Sequence, residues 1–371
     1  MVEMHRYRVC VYAICKNEEA FVDSWVKSMS EADQIVVLDT GSSDQTVSKL
    51  KKAGVTVYQE EIVPWRFDVA RNRSLDYVPQ DIDICVCVDL DERFEPGWRA
   101  LLENAWTPQT KRAQYRYTWN FNEDGSEGVV FWIDKIHSRN GFCWEHPVHE
   151  VLAYTETAPY DTVYVEGMQL NHYADPQKSR AQYLPLLEMS VREKPDDDRN
   201  MHYLGREYMF RGEWDLCIQT LLHHLSMPQA RWKDERCASM RYLARAYLQK
   251  GEREEARAWY YRSIAEAPYL REPYMEFASM LYEEKNWYGI LYLTECALRI
   301  TERPHTYICE AASWGSLPYD LASLGYYFTG AYVQALQMVE KAVQLSPTDS
   351  RLLSNKKIME QAAQEKKDNP V

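Results

Sequence analysis

No stretch of the 371 residues stays apolar for long enough to span a bilayer, which excludes a helical channel or carrier. The first residues, Met1 to His5, lack the basic and apolar regions of a secretory leader. Nine cysteines are present without regular close spacing, so a disulfide framework is not expected. Cys15, Cys85 and Cys87 sit inside apolar runs that read as buried strands. Buried thiols fit a reducing compartment, and a cytoplasmic protein is expected. Positive charge is in deficit: 43 Lys and Arg stand against 56 Asp and Glu, for a net charge of -13. Such a surface repels phosphate backbones, which disfavours nonspecific nucleic-acid binding but leaves room for a local basic cleft. A glycine-rich basic phosphate loop, as a nucleotidyltransferase would carry, is also missing, because Lys16-Asn17-Glu18 is not one.

Aromatic residues, by contrast, are plentiful, with 27 Tyr and 12 Trp. They fill repeat interfaces and also make flat platforms for sugars or peptides. The length suits two domains, and two patterns divide the chain. Up to Tyr173, apolar runs at residues 9–15, 34–38, 55–58 and 82–88 alternate with helical segments at 21–29, 46–53 and 70–77. Strand, helix, strand at this spacing predicts crossover units and a parallel sheet, with ligands at the carboxyl ends of the strands. From about Asn200 onward helical periodicity takes over. Tyr242-Leu243-Ala244, Gly251, Ala256, Tyr260 and Pro268 match the small, aromatic and proline positions of a tetratricopeptide unit. The frame recurs around Leu204-Gly205 to Leu221, Ala278 to Ala297 and Tyr326 to Pro347. Such units must stack to hide their apolar faces. The expected division is residues 1–195 for the α/β domain, 196–360 for the helical repeats and 361–371 for a loose tail.

Chemistry is carried by the polar residues that follow the strands. Val88-Asp89-Leu90-Asp91-Glu92 leaves a buried run, and two carboxylates two residues apart can converge on a hard cation such as Mg²⁺ or Mn²⁺. A solvated acidic turn is the plainer reading of that tripeptide alone. Leu38-Asp39-Thr40-Gly41-Ser42-Ser43-Asp44 ends the second run and opens a helix. Asp39 there can accept from a base or ribose, whereas Ser43 and Asp44 read as turn and cap residues. Lys16, Asn17 and Glu18 end the first run, and Arg71 lies in a helix opened by Phe67-Asp68. An exposed ion pair is the default for Arg71 taken alone.

In this order the motifs resemble those of family 2 glycosyltransferases of the GT-A fold, in the branch with a C-terminal tetratricopeptide tail. The resemblance covers residues 7 to 175 and implies a Rossmann-like, mostly parallel catalytic sheet. It implies an inverting transferase using a nucleotide-sugar, commonly a UDP-sugar, with Mn²⁺ or Mg²⁺. Lys16, Asn17, Glu18, Asp39, Arg71 and Asp89 would then meet the nucleotide-sugar, and Asp89, Asp91 and His172 the metal. Within Trp144-Glu145-His146-Pro147-Val148-His149-Glu150, Glu150 matches the catalytic base and His149 a positioning neighbour. Leu90 stands where the family often has a small residue, and Pro147 stiffens the approach to His149.

A zinc hydrolase is disfavoured, because His146 and His149 lack the helical i, i+4 spacing and Pro147 opposes a helix. The acceptor stays open at this stage. Concave repeats hold polypeptides, so a protein or peptide side chain is the leading candidate, while oligomerisation through the repeats is the other use of such a tail. A surface glycan, a lipid-linked sugar and a modified nucleic-acid base are alternatives within the enzyme class. A catalytically degenerate scaffold is the alternative outside it.

Overall fold

The computed structural model describes residues 6–122, 125–175 and 181–368. The chain forms two compact units, Met1–Glu193 and Lys194–Val371. In the first, strands and helices alternate as β1 (Val9–Cys15), α1 (Val22–Met29), β2 (Gln34–Asp39), α2 (Thr46–Lys52), β3 (Thr56–Gln59), α3 (Phe67–Asp76) and β4 (Ile84–Cys87). β1 pairs in parallel with β2 and β4, and β3 adds in parallel to β2. There follow β5 (Glu92–Phe94), α4 (Trp98–Ala105), β6 (Thr110–Thr118), β7 (Val130–Ser138), β8 (Phe142–Glu145), β9 (Val151–Tyr154), β10 (Asp161–His172) and α5 (Tyr183–Glu193). The main sheet has eight strands in the order β3-β2-β1-β4-β7-β6-β10-β5, and β8 and β9 form a separate hairpin.

The parallel sheet expected from the first four runs is present, and the later strands modify it. β7 is antiparallel to both β4 and β6, and β5 is antiparallel to β10. No helix separates β6 from β7, and a short return without a crossover can only pair antiparallel.

β1 serves two cores. Val9, Val11, Ala13 and Cys15 pack with Trp25, Trp98 and Leu102 on one face. Cys10 and Tyr12 pack with Leu75, Cys85, Cys87, Phe142 and Trp144 on the other. A strand covered on both faces reads as an unbroken apolar run, as this one does. Leu90 belongs to the first core, so the large residue inside the acidic motif is spent on packing. All nine cysteines are free, and burial raises the Cys10 thiol to about 12.

In the second unit, four successive helix pairs are α6 (Asp198–Phe210) and α7 (Trp214–Ser226), α8 (Lys233–Gln249) and α9 (Arg253–Glu266), α10 (Glu272–Glu283) and α11 (Trp287–Leu298), and α12 (Leu317–Phe328) and α13 (Tyr332–Leu345). A last helix, α14 (Ser350–Asp368), follows. The small positions of the repeat frame, Ala244, Ala256, Ala278 and Ala335, are fully buried, as a stacked array requires. The stretch after Gln361, expected to be a loose tail, is helical to Asp368. Leu352, Met359 and Ala363 recur at helical spacing along α14 and are buried, with Met359 packed on Ala335 and Val339. Among the described residues no helix is long and apolar enough to cross a membrane.

Gly205 of α6 tests the repeat packing. A Cβ there would lie 2.3 Å from Cδ2 of Leu221 in α7. Gly205→Val is expected to lower stability by about 1–3 kcal/mol through overpacking, read as a lower urea midpoint at unchanged slope.

Candidate functional site

The ends of β1 and β2 are tied together by reciprocal hydrogen bonds. The Asn17 amide donates to Ser42 Oγ at 2.9 Å, and the Ser43 amide donates to Asn17 Oδ1 at 2.8 Å. The Glu18 amide donates to Thr46 Oγ1 at 2.7 Å. Asn17 adopts a left-handed φ of 56°, which asparagine tolerates better than most side chains. Lys16 and Asn17 are exposed, whereas Glu18 is buried. Asp39 is 1% exposed, and its oxygens accept from the amides of its own turn, Gly41 at 3.3 Å and Ser42 at 3.2 Å. The carboxylate also accepts from Gln59 Nε2 at 3.4 Å and from Cys15 Sγ at 3.7 Å, so it joins the ends of β1, β2 and β3.

Beyond β4 lies a buried knot of charge. Arg71 projects from α3, and its two terminal nitrogens donate to both oxygens of Asp89 at 2.8 and 3.0 Å. Its Nε donates to Glu150 Oε1. The guanidinium also lies 5.2 Å from the centre of the Trp144 ring. Lys135 of β7 adds a second cation, with Nζ 3.2 Å from Asp89 and 3.1 Å from Glu92. Glu92 accepts from Tyr117 Oη and from the Asp89 amide, each at 2.8 Å. Burial alone would favour the neutral form of Asp89, but Arg71 and Lys135 outweigh it and hold the carboxyl well below its usual range. Burial pushes Glu92 upward, and the neighbouring Asp89 and Asp91 add to that rise against the pull of Lys135.

Glu150 is carried by the β8–β9 hairpin, which is fastened to α3. Asn72 Nδ2 donates to the Trp144 carbonyl, and the Trp144 amide donates to Asn72 Oδ1, both at 2.8 Å. The Phe67 amide donates to the Pro147 carbonyl at 3.0 Å. Beneath, Trp144 Nε1 donates to Tyr12 Oη at 2.9 Å, and Tyr12 Oη lies 2.8 Å from His137 Nε2. His137 Nδ1 lies 2.8 Å from the Ser138 carbonyl, so it carries the proton and Tyr12 donates to Nε2. Burial lowers His137 to about 3 and keeps it neutral. In the hairpin loop His146 and His149 take left-handed φ values of 79° and 52°, a costly state for a side chain with a Cβ.

His172, at the end of β10, completes the group. Its Nδ1 donates to the Trp119 carbonyl at 2.7 Å, and its Nε2 lies 3.6 Å from Asp91 Oδ2; burial works against the imidazolium, but Asp91 outweighs it and raises the ring's pKa. An imidazole fixed in this way, facing a carboxylate, is the donor arrangement of many metal sites. The Trp119 ring stacks on His172 with centroids 4.6 Å apart and is 49% exposed.

Thus Arg71, Asp89 and Glu150 are in direct contact, and Asp91 and His172 form a pair. Asp39 is held among the ends of β1, β2 and β3, apart from that group, and His149 lies against Tyr183 with ring centroids 5.7 Å apart. Lys135, Glu92 and Asn72 were not anticipated. A lone lysine in an aromatic-rich strand was the available sign for Lys135. Glu92 looked like the end of an acidic turn, and nothing local marks Asn72 as the clamp of a distant hairpin.

Residues 10–147 match the family model for glycosyl transferase family 2. The match lies within the first unit. Among solved structures, MamA is similar at 15% identity and a TM-score of 0.36, covering 45% of this chain and 89% of MamA. The C-terminal part of a TPR repeat-containing protein from Cytophaga hutchinsonii is similar at 16% identity and a TM-score of 0.41, covering 50% of this chain and 67% of that one. Glucosyl-3-phosphoglycerate synthase from Mycobacterium tuberculosis, in complex with Mn²⁺, UDP and phosphoglyceric acid, is similar at 25% identity and a TM-score of 0.27. That match covers 30% of this chain and 44% of the synthase.

The Asn72 clamp gives a direct test. Asn72→Ala removes both bonds to the Trp144 backbone and is expected to cost about 2 kcal/mol. Asn72→Asp, which keeps the acceptor, is expected to cost less. Chemical unfolding of both variants measures the difference.

Proposed function

We propose that this chain is an inverting glycosyltransferase that takes its sugar from a UDP-sugar and transfers it to a polypeptide side chain held by the helical repeats. The observation that carries this reading is the charge knot at the strand ends, where Arg71 joins Asp89 to Glu150 beside the pair Asp91 and His172. Two cationic side chains, Arg71 and Lys135, meet the three carboxylates of Asp89, Glu92 and Glu150, and Asp91 beside them faces His172. That excess of carboxylates, with an imidazole nitrogen beside Asp91, suits a divalent cation.

Asp91 and His172 would hold Mn²⁺ or Mg²⁺, with Asp89 turned toward the nucleotide while Arg71 grips it. The cation, when bound, neutralises the diphosphate and makes it a better leaving group. Lys16 and Asn17 are exposed where the nucleotide would lie, and Glu18 and Asp39 shape the turns beneath. In the reaction the acceptor heteroatom bonds to the anomeric carbon as the bond to the diphosphate oxygen breaks. Glu150 takes the acceptor's proton, and Arg71 and the hairpin hold it in place. His149, at a left-handed position one residue away, positions the loop rather than the proton. A tail of stacked helix pairs supports a polypeptide acceptor, because such arrays present extended binding surfaces.

Two substitutions test the assignment. Glu150→Gln is expected to keep UDP-sugar affinity while transfer falls by about 10² to 10⁴, the usual contribution of a general base. Near-normal turnover by that variant would move the base elsewhere. Asp91→Asn is expected to abolish transfer and weaken Mn²⁺-dependent UDP binding while the fold survives. Full activity of the wild-type protein in EDTA would refute a metal-assisted reaction. A donor panel read by thermal shift, followed by mass spectrometry of modified polypeptides, identifies the sugar and the acceptor.

A further inference from the structure

Far along the chain from this knot, the helical unit buries a second group of metal-type donors. Asp198 opens α6, His224 lies in the last turn of α7, and Glu235 lies in the first turn of α8. One donor atom from each lies within 4.8 Å of the other two. His224 is fully buried and Glu235 is 4% exposed, while Asp198 is only partly covered and leaves an entry path.

The imidazole of His224 is the telling member. Its Nε2 is buried, makes no hydrogen bond, and lies 3.5 Å from Glu235 Oε1. A charge-assisted N–H···O bond would close to about 2.7–2.9 Å. Two ligands bound tetrahedrally at about 2.1 Å each are separated by about 3.4 Å, which is the spacing found. The other ring nitrogen, Nδ1, is 3.0 Å from Ser239 Oγ, a hydroxyl able to accept its proton and leave Nε2 with the lone pair. The other oxygen of Glu235 accepts from Tyr307 Oη, which orients the carboxylate from behind.

We propose that Asp198, His224 and Glu235 form a site for a divalent cation of the zinc type, which fastens together the first three helices of the repeat unit. One imidazole and two carboxylates suit zinc better than magnesium, which favours oxygen alone. With three protein ligands and Asp198 on the open side, a fourth position is left for water or for a group from a bound molecule.

The experiment uses the full chain, stripped with EDTA and titrated with ZnCl₂, with metal counted by plasma mass spectrometry and stability read by thermal unfolding. Asp198→Asn, His224→Gln and Asp91→Asn are run beside the wild-type protein. The wild-type protein is expected to gain about 5 °C or more at a roughly hundredfold excess of zinc over its dissociation constant. Asp198→Asn and His224→Gln are expected to lose one equivalent of zinc and that gain, whereas Asp91→Asn keeps the gain. Cobalt in place of zinc should give the visible bands of a tetrahedral site in the wild-type protein and not in Asp198→Asn. If His224→Gln does not fold, Asp198→Asn still decides, since its side chain is partly exposed. Equal zinc content and an equal thermal shift in Asp198→Asn and the wild-type protein would overturn the site and leave His224 and Glu235 as an ion pair. Stabilisation of Asp91→Asn by MnCl₂ equal to its stabilisation by ZnCl₂ would overturn the assignment to the zinc class.

Discussion

The first unit is organised around one buried guanidinium. Arg71 is 5% exposed and meets two carboxylates that reach it from opposite directions in the chain, Asp89 from the end of β4 and Glu150 from the hairpin. A buried charge of this kind is costly to leave unpaired, so the three side chains fix one another. Burial works against the charged form of Arg71, but Asp89 and Glu150 outweigh it and keep the guanidinium firmly protonated. The neighbouring residue, Asn72, holds the hairpin backbone from the same helix. Two adjacent positions of α3 therefore set where the carboxylate proposed to face the donor and the one proposed to face the acceptor lie.

The two units handle internal charge differently. In the helical unit Arg241 and Arg245 face Glu276 and Glu310, with Arg245 2.8 Å from each carboxylate and Arg241 3.0 Å from Glu310. Two cations meet two anions, and the group needs nothing further. In the knot around Arg71, two cations, Arg71 and Lys135, meet three carboxylates, Asp89, Glu92 and Glu150.

Much of the first unit was legible because its central strands are buried on both faces. β1, β2 and β4 stand out as apolar runs, and the turns after them hold Asn17, Asp39 and Asp89 where strand ends should be. The repeat frame was legible for a similar reason: its small residues recur wherever helices touch. What stayed hidden depends on distant pairing. Lys135 meets Asp89 across 46 residues, and Asn72 meets Trp144 across 72. No local pattern records such a contact. The antiparallel joints of the sheet were hidden too, since strand direction follows from connections whose course the residues in each strand do not reveal. The helical end of the chain was missed because a charged surface reads as a solvated tail, although Met359 and Ala363 of the same helix are buried.

Ser239 lies between two buried imidazoles, 2.8 Å from His202 Nδ1 and 3.0 Å from His224 Nδ1. A hydroxyl owns a single hydrogen, so it can donate to only one ring and must accept from the other. The two histidines sit 5.6 Å apart and cannot choose their tautomers independently. When His224 donates its Nδ1–H to the hydroxyl oxygen, the hydroxyl hydrogen turns to His202 Nδ1 and that ring's own hydrogen must sit on Nε2. The tautomer of one histidine thereby sets the opposite tautomer in its neighbour through one oxygen atom, without any movement of the backbone.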